Sequence, residues 1–135
     1  MEAFLGKWKA ETSRDVGVKE YMSAGLMPPE VVEKILTNGY TLEIVKSGSG
    51  YKAEMTSPGS PTISNEFQLG KEITLDGPGG LKLKSISKLD GNKIVEDATA
   101  ENGLKLNIIR EIINGELKMV TTSQAGEMTQ YFRRC

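Results

Sequence analysis

The stretch LKLNIIREII, residues 104–113, sets an arginine among aliphatic side chains. Read as a strand, one face carries Leu104, Leu106, Ile108, Arg110 and Ile112, and the other Lys105, Asn107, Ile109, Glu111 and Ile113. The first face is apolar, so Arg110 is directed inward. A guanidinium cannot shed its proton, and leaving water unpaired costs it several kcal/mol. It must meet a carboxylate, a set of acceptors, or water in a cavity; a core acid such as Asp97 is one purely structural partner. The segment EMTQYFRR repeats the pattern, with Met128, Gln130 and Phe132 on one face and an amide in its middle. Between the two, ELKMVTTS turns Leu117, Met119 and Thr121 the same way. Three successive strands thus build an apolar wall bearing a guanidinium, an amide and a hydroxyl, the composition of a ligand cavity with few polar anchors. Read without a ligand, the same Gln130 holds structural water and Met119 fills core.

Other chemistries lack their tools. The chain has no histidine, which removes His-based triads, His metal sites and the usual near-neutral base. Its one cysteine, Cys135, can form neither an internal disulfide nor a thiolate metal cluster. The glycine-rich DGPGG has no phosphate-loop lysine and opens no helix. No catalytic residue, metal or cofactor is therefore expected. A net charge of −1 gives no field for nucleic acid or an acidic membrane. The opening MEAFLGKWKAE carries no long apolar run, so neither a secretory leader nor a membrane span is expected, and a reducing, cytosolic setting is.

The elements that must position these residues are mostly strands. One helix is expected over VGVKEYMSAG, capped by Asp15 and ended by Gly25, with Val18, Tyr21 and Met22 on one face. A second follows over PPEVVEKILTNG, striped by Val31, Val32, Ile35 and Leu36 and ended by Asn38-Gly39. The short loop between them makes an antiparallel helical hairpin. Strands are read at GKWKAETS before the helices and, after them, at YTLEIVK, YKAEMT, TISNEFQL, KEITL, LKLKSISKL, KIVEDATA, LKLNIIREII, ELKMVTTS and EMTQYFRR. Turn chemistry such as SGSG, DGN and NG separates them. That is about ten antiparallel strands in one domain over residues 1–135, arranged as a sandwich or a closed up-and-down barrel.

The order of motifs resembles the intracellular lipid-binding proteins, the group of fatty-acid-binding and cellular retinoid-binding proteins, and most resembles a fatty-acid-binding protein. FLGKWK is similar to the opening G-x-W signature, with Gly6 and Trp8; KEYMSAGL to a first lid helix; NEFQLGKE to the middle strand pair; LKLKSISKLDGNKIV to the following hairpin; and IIREIINGEL to the strand with an internal arginine. The resemblance runs through the whole chain. It implies a ten-stranded antiparallel up-and-down β-barrel (a calycin-like β-clam) with a helix-turn-helix lid between its first two strands. Arg110 fills the position of the eighth-strand arginine that holds a ligand carboxylate in many fatty-acid-binding members. The tenth-strand Arg-x-Tyr of those members is Gln130-x-Phe132 here, as in the retinol-binding branch, which usually lacks the arginine. Met22 occupies the lid position and Thr56 a polar portal position.

The function expected is non-enzymatic carriage of a long-chain fatty acid or similar hydrophobic carboxylate. Arg110 and Gln130 take the head, Phe132 packs near it, and Leu106, Ile108, Leu117, Met119 and Met22 line the tail site, with Thr56 at the portal. A retinoid or another bulky ligand, such as one like a bile acid, is the alternative within the class. A calycin-barrel isomerase is the alternative outside it. A monomer with transient membrane contact through lid residues Lys19 and Lys34 is expected, and no nucleic-acid partner.

Overall fold

The computed structural model describes residues 2–17, 29–59, 62–76, 82–101, 103–124 and 126–135. Ten strands form one antiparallel sheet: β1 (Gly6–Ala10), β2 (Thr41–Ser47), β3 (Gly50–Thr56), β4 (Ile63–Phe67), β5 (Ile73–Asp76), β6 (Lys82–Asp90), β7 (Lys93–Ala100), β8 (Lys105–Ile113), β9 (Glu116–Ser123) and β10 (Gly126–Arg134). Their order is β4-β3-β2-β1-β10-β9-β8-β7-β6-β5. Because β1 pairs with both β2 and β10, the last strand returns to the first and the sheet curls into a nearly closed barrel. The two outer strands, β4 and β5, lie side by side but share no ladder among the described residues. Of the two architectures open to hairpin patterning, the barrel is the one formed.

Local chemistry explains the regularity. The β8–β9 hairpin turns on Asn114 (φ 53°) and Gly115 (φ 79°), the two left-handed residues that a tight hairpin with matching twist requires. Inward and outward residues alternate as expected. On β10, Met128, Gln130 and Phe132 are buried, while Arg133 is exposed.

Strand β1 is shorter than the pattern GKWKAETS indicates. It stops at Ala10, and Thr12–Arg14 form a 3-10 turn in which the Arg14 and Asp15 amides donate back to the Glu11 and Thr12 carbonyls. An ion-pair group of Glu11, Arg14, Arg133 and Glu116 holds that turn against β9 and β10. Nor does Asp15 start a helix at the next residue. Asp15 is extended, Val16 exchanges two backbone hydrogen bonds with Thr129 of β10, and Gly17 bends the chain at φ +70°. The rest of the first expected helix, with Met22, Lys19 and Gly25, lies outside the described residues. The second is present as α1 (Pro29–Asn38), although the side chains of its apolar stripe lie outside the described residues. Its C-terminal end is fastened to the β3–β4 loop: Asn38 Nδ2 donates to the Pro58 carbonyl at 3.1 Å and Ser57 Oγ to the Gly39 carbonyl at 2.7 Å.

A buried cluster of Phe4, Trp8, Tyr40, Ile44, Ile94, Leu117 and Phe132 forms the core. Trp8 is fully enclosed and its indole N–H donates to the Phe4 carbonyl at 3.0 Å. The guanidinium of Arg134 lies 4.2 Å over the Trp8 ring and donates to the Leu5 and Ala3 carbonyls, both at 2.7 Å. Chain start and chain end are thereby tied together where β1 meets β10.

Candidate functional site

Beside that cluster, with Ile44 and Ile94 common to both, the barrel interior is not filled. A cavity of about 220 Å³ lies among inward side chains of β2 to β8, below the roughly 300–1,000 Å³ of ordinary ligand pockets. Its wall is mostly aliphatic, with Leu42, Ile44, Leu83 and Ile108 among the lining residues.

The charged part of the wall and the serine that contacts it come from three neighbouring strands. On β7 the inward phase is Ile94, Glu96, Ala98 and Ala100, all buried, so an acid occupies a core-facing position just as Arg110 does on β8. Ladder pairing sets Ile94 opposite Arg110 and Glu96 opposite Ile108. The guanidinium leans one diagonal step along the sheet, and Arg110 Nη1 donates to Glu96 Oε1 at 2.7 Å. On β6, Ser85 Oγ donates to the other carboxylate oxygen, Oε2. Burial pushes the Glu96 carboxyl up, but the facing guanidinium and the Ser85 hydroxyl outweigh it and hold the group below its ordinary value. Glu96 is therefore ionised at neutral pH and the cluster is an ion pair.

The acid that answers Arg110 is thus Glu96 and not Asp97. Asp97 has the opposite parity, lies exposed on the outer face, and accepts from Asn107 Nδ2 at 3.0 Å. Glu96 and Ser85 were not singled out from the sequence, yet KIVEDATA carries a usable signal: its small and aliphatic phase contains one carboxylate.

Gln130 has a different partner. Arg110, Met119 and Gln130 share one rung, since Arg110 pairs with Met119 and Met119 with Gln130. Their polar ends diverge. Gln130 Nε2 donates to the hydroxyl of Tyr40, whose ring meets Phe132 edge-on with centroids 5.6 Å apart. Burial, with the Asp15 charge nearby, pushes the Tyr40 phenol up, so it remains a neutral hydroxyl. The Gln130 Oε1 atom is buried with no hydrogen-bond partner among the described residues.

The remaining expected site residues fall in several places. Ile108 lines the cavity with Arg110, and Leu106 is buried two residues earlier on the same face. Leu117 and Phe132 are fully enclosed in the core, and Met119 packs half-buried against it. Thr56 is exposed at the end of β3, paired with Thr41. Met22 lies outside the described residues.

A model of the lipocalin / cytosolic fatty-acid binding protein family matches residues 2–134. The chain belongs to this family. Among its relatives, gastrotropin of Sus scrofa is 28% identical over 120 residues, covering 89% of this chain and 88% of its own. The liver fatty acid-binding protein of the same animal is 33% identical over 103 residues, covering 76% of each chain. Fatty-acid-binding protein 1 of Echinococcus granulosus shares the fold, with a TM-score of 0.88 at 20% identity over 99% of this chain and 98% of that one. The fluorescent protein UnaG superposes with a TM-score of 0.85 at 26% identity, covering 99% and 98%. Membership accounts for the barrel; the Ser85–Glu96–Arg110 cluster is what this family member places on its cavity wall.

Proposed function

We propose that this chain reversibly binds and carries a long-chain fatty acid or similar hydrophobic carboxylate in its barrel cavity, as a cytosolic monomer that catalyses no reaction. The observation that carries the reading is an aliphatic cavity with one ion-paired arginine on its wall. Each methylene withdrawn from water contributes about 0.8 kcal/mol, so the tail supplies most of the affinity and a single polar anchor suffices to orient the head. Arg110 serves that role with its planar set of five N–H donors, directly or through water. The names of the liver-type relatives support a fatty acid as cargo. Exchange would proceed past α1 and the β3–β4 loop, with the exposed Lys34 meeting the membrane surface during transfer.

The test is native mass spectrometry of the purified protein with identification of any retained lipid, followed by competition between oleate and retinol for the delipidated chain. A co-purifying hydrophobic carboxylate and displacement by oleate are expected. Arg110→Ala should weaken oleate more than an alcohol of equal chain length. Displacement by retinol alone would favour the second reading, a retinoid or bulky alcohol carrier. That reading draws on the Gln130-x-Phe132 pattern; the Gln130 carbonyl oxygen is buried with no hydrogen-bond partner among the described residues, although Gln130 stands on β10, outside the described cavity lining. Chemical turnover of the bound ligand would overturn both.

A further inference from the structure

The charge balance of the cavity decides in what form a carboxylate can enter it. Glu96 and Arg110 are the two charged residues on its described lining, and they already neutralise each other. The Glu96 side chain is 7% exposed and both of its oxygens are engaged, one by Arg110 and one by Ser85. The groups that face it from adjacent strands are Ser85 and Ser87 on β6 and Ile108 and Arg110 on β8. Across the cavity β4 contributes the uncharged Asn65. On its own strand the charged neighbour is Asp97, on the outer face, whose negative charge disfavours ionisation of Glu96. Arg110 is therefore the one cation available to a second anion on this described wall.

A fatty-acid carboxylate docking on the same guanidinium leaves two anions beside one cation in a part-buried site, with Glu96 7% and Arg110 20% exposed. Two carboxylates sharing such a site do not both stay ionised; one holds a proton. We infer that this cavity takes a fatty acid as a proton-coupled ligand, in which one proton enters from solvent for each carboxylate bound and is held between the ligand head and Glu96. The occupied site then stays neutral, with Arg110 facing one carboxylate and one carboxyl. Before binding, Glu96 is held below its ordinary value and carries no proton at neutral pH, so the uptake is new to the complex. A ligand with a neutral head needs no proton. The pair thus sets specificity: it weakens carboxylates as pH rises and leaves alcohols unaffected. The inference rests on the carrier reading above.

Calorimetric titration of oleate into the delipidated protein, in two buffers of different ionisation enthalpy, counts protons directly. Uptake of roughly one proton per oleate is expected, and none for oleyl alcohol. Oleate affinity should rise about tenfold for each pH unit lowered between about pH 8 and about pH 6, with the alcohol flat. Glu96→Gln should abolish the uptake and flatten the oleate profile while keeping an amide oxygen for Arg110. Ser85→Ala, which removes one donor from Glu96, should retain the uptake. If Glu96→Gln does not fold, the two-buffer count and the pH slope of the unmodified chain decide the matter. Oleate binding with no proton exchange would overturn the inference and leave the carrier reading standing; undiminished uptake in Glu96→Gln would overturn the role of Glu96. If neither oleate nor the alcohol binds, the carrier reading falls and this inference with it.

Discussion

The side-chain amide of Gln130 on β10 donates to the hydroxyl of Tyr40, 90 residues earlier in the chain. Both groups are enclosed, with Gln130 2% and Tyr40 7% exposed. The bond spans the inside of the barrel between the last strand and the residue that leads into β2, so the inward amide is tied down by a phenol that burial keeps neutral.

Tyr40→Phe removes the acceptor and strands the buried amide. Stability should fall by about 1–3 kcal/mol, the desolvation penalty of an unmade hydrogen bond. The double variant Tyr40→Phe, Gln130→Met should recover most of that loss. Urea midpoints for the three proteins test this, and a single variant as stable as the parent chain would refute it.

Breaking the Arg110–Glu96 pair from one side should be worse. Arg110→Met leaves a carboxylate buried without its cation, a loss of about 3 kcal/mol at neutral pH, toward the lower end for buried pairs because Arg110 is 20% exposed. Without the guanidinium, burial raises the Glu96 carboxyl above its unfolded value, so the folded state binds more protons and the deficit should shrink as pH falls. Combining Arg110→Met with Glu96→Gln should restore much of the loss even at neutral pH. Equal urea midpoints for the single and double variants would show that the charge is not what matters.

At Gly6 the backbone is at φ +119° and an added Cβ would stand 2.8 Å from the Arg134 guanidinium. The side chain can move, but L residues rarely adopt this backbone conformation and are strained in it. Gly6→Ala should therefore destabilise by about 1–3 kcal/mol and disturb the stacking of Arg134 on Trp8. Fluorescence of Trp8, the single tryptophan, reports the disturbance, and chemical unfolding reports the loss.

Both carboxylate oxygens of Asp15 are shut off from solvent with no hydrogen-bond partner among the described residues, and burial pushes the group from 3.8 to about 6. Between those values the folded chain binds more protons than the unfolded one. Stability from this group accordingly falls as pH rises through that window, and the penalty is complete above about pH 6. Asp15→Asn should stabilise the protein at neutral pH, with the gain disappearing below about pH 4. A gain of equal size at both pH values would mean that ionisation of Asp15 is not the cause.

The strands, their turns and the phase of each inward face were legible locally, because alternation has a period of two residues and hairpin turns demand particular residue types. That was enough to point Arg110, Gln130, Leu117 and Phe132 inward. It was not enough near Asp15, where an N-cap residue and a helical pattern suggest a helix at once, whereas pairing of Val16 with Thr129 holds the chain extended.

Face is a property of one strand, but partnership belongs to two. Choosing Glu96 over Asp97 required the β7–β8 register together with parity, since the two acids are adjacent in sequence and point to opposite sides. Tyr40 became the partner of Gln130 only because β1 draws β2 and β10 together and closes the barrel. By itself the sequence determined that polar groups face an apolar interior. Tertiary structure decided that Arg110 is neutralised there, because ladder register and closure set which side chains meet, and no local pattern encodes either.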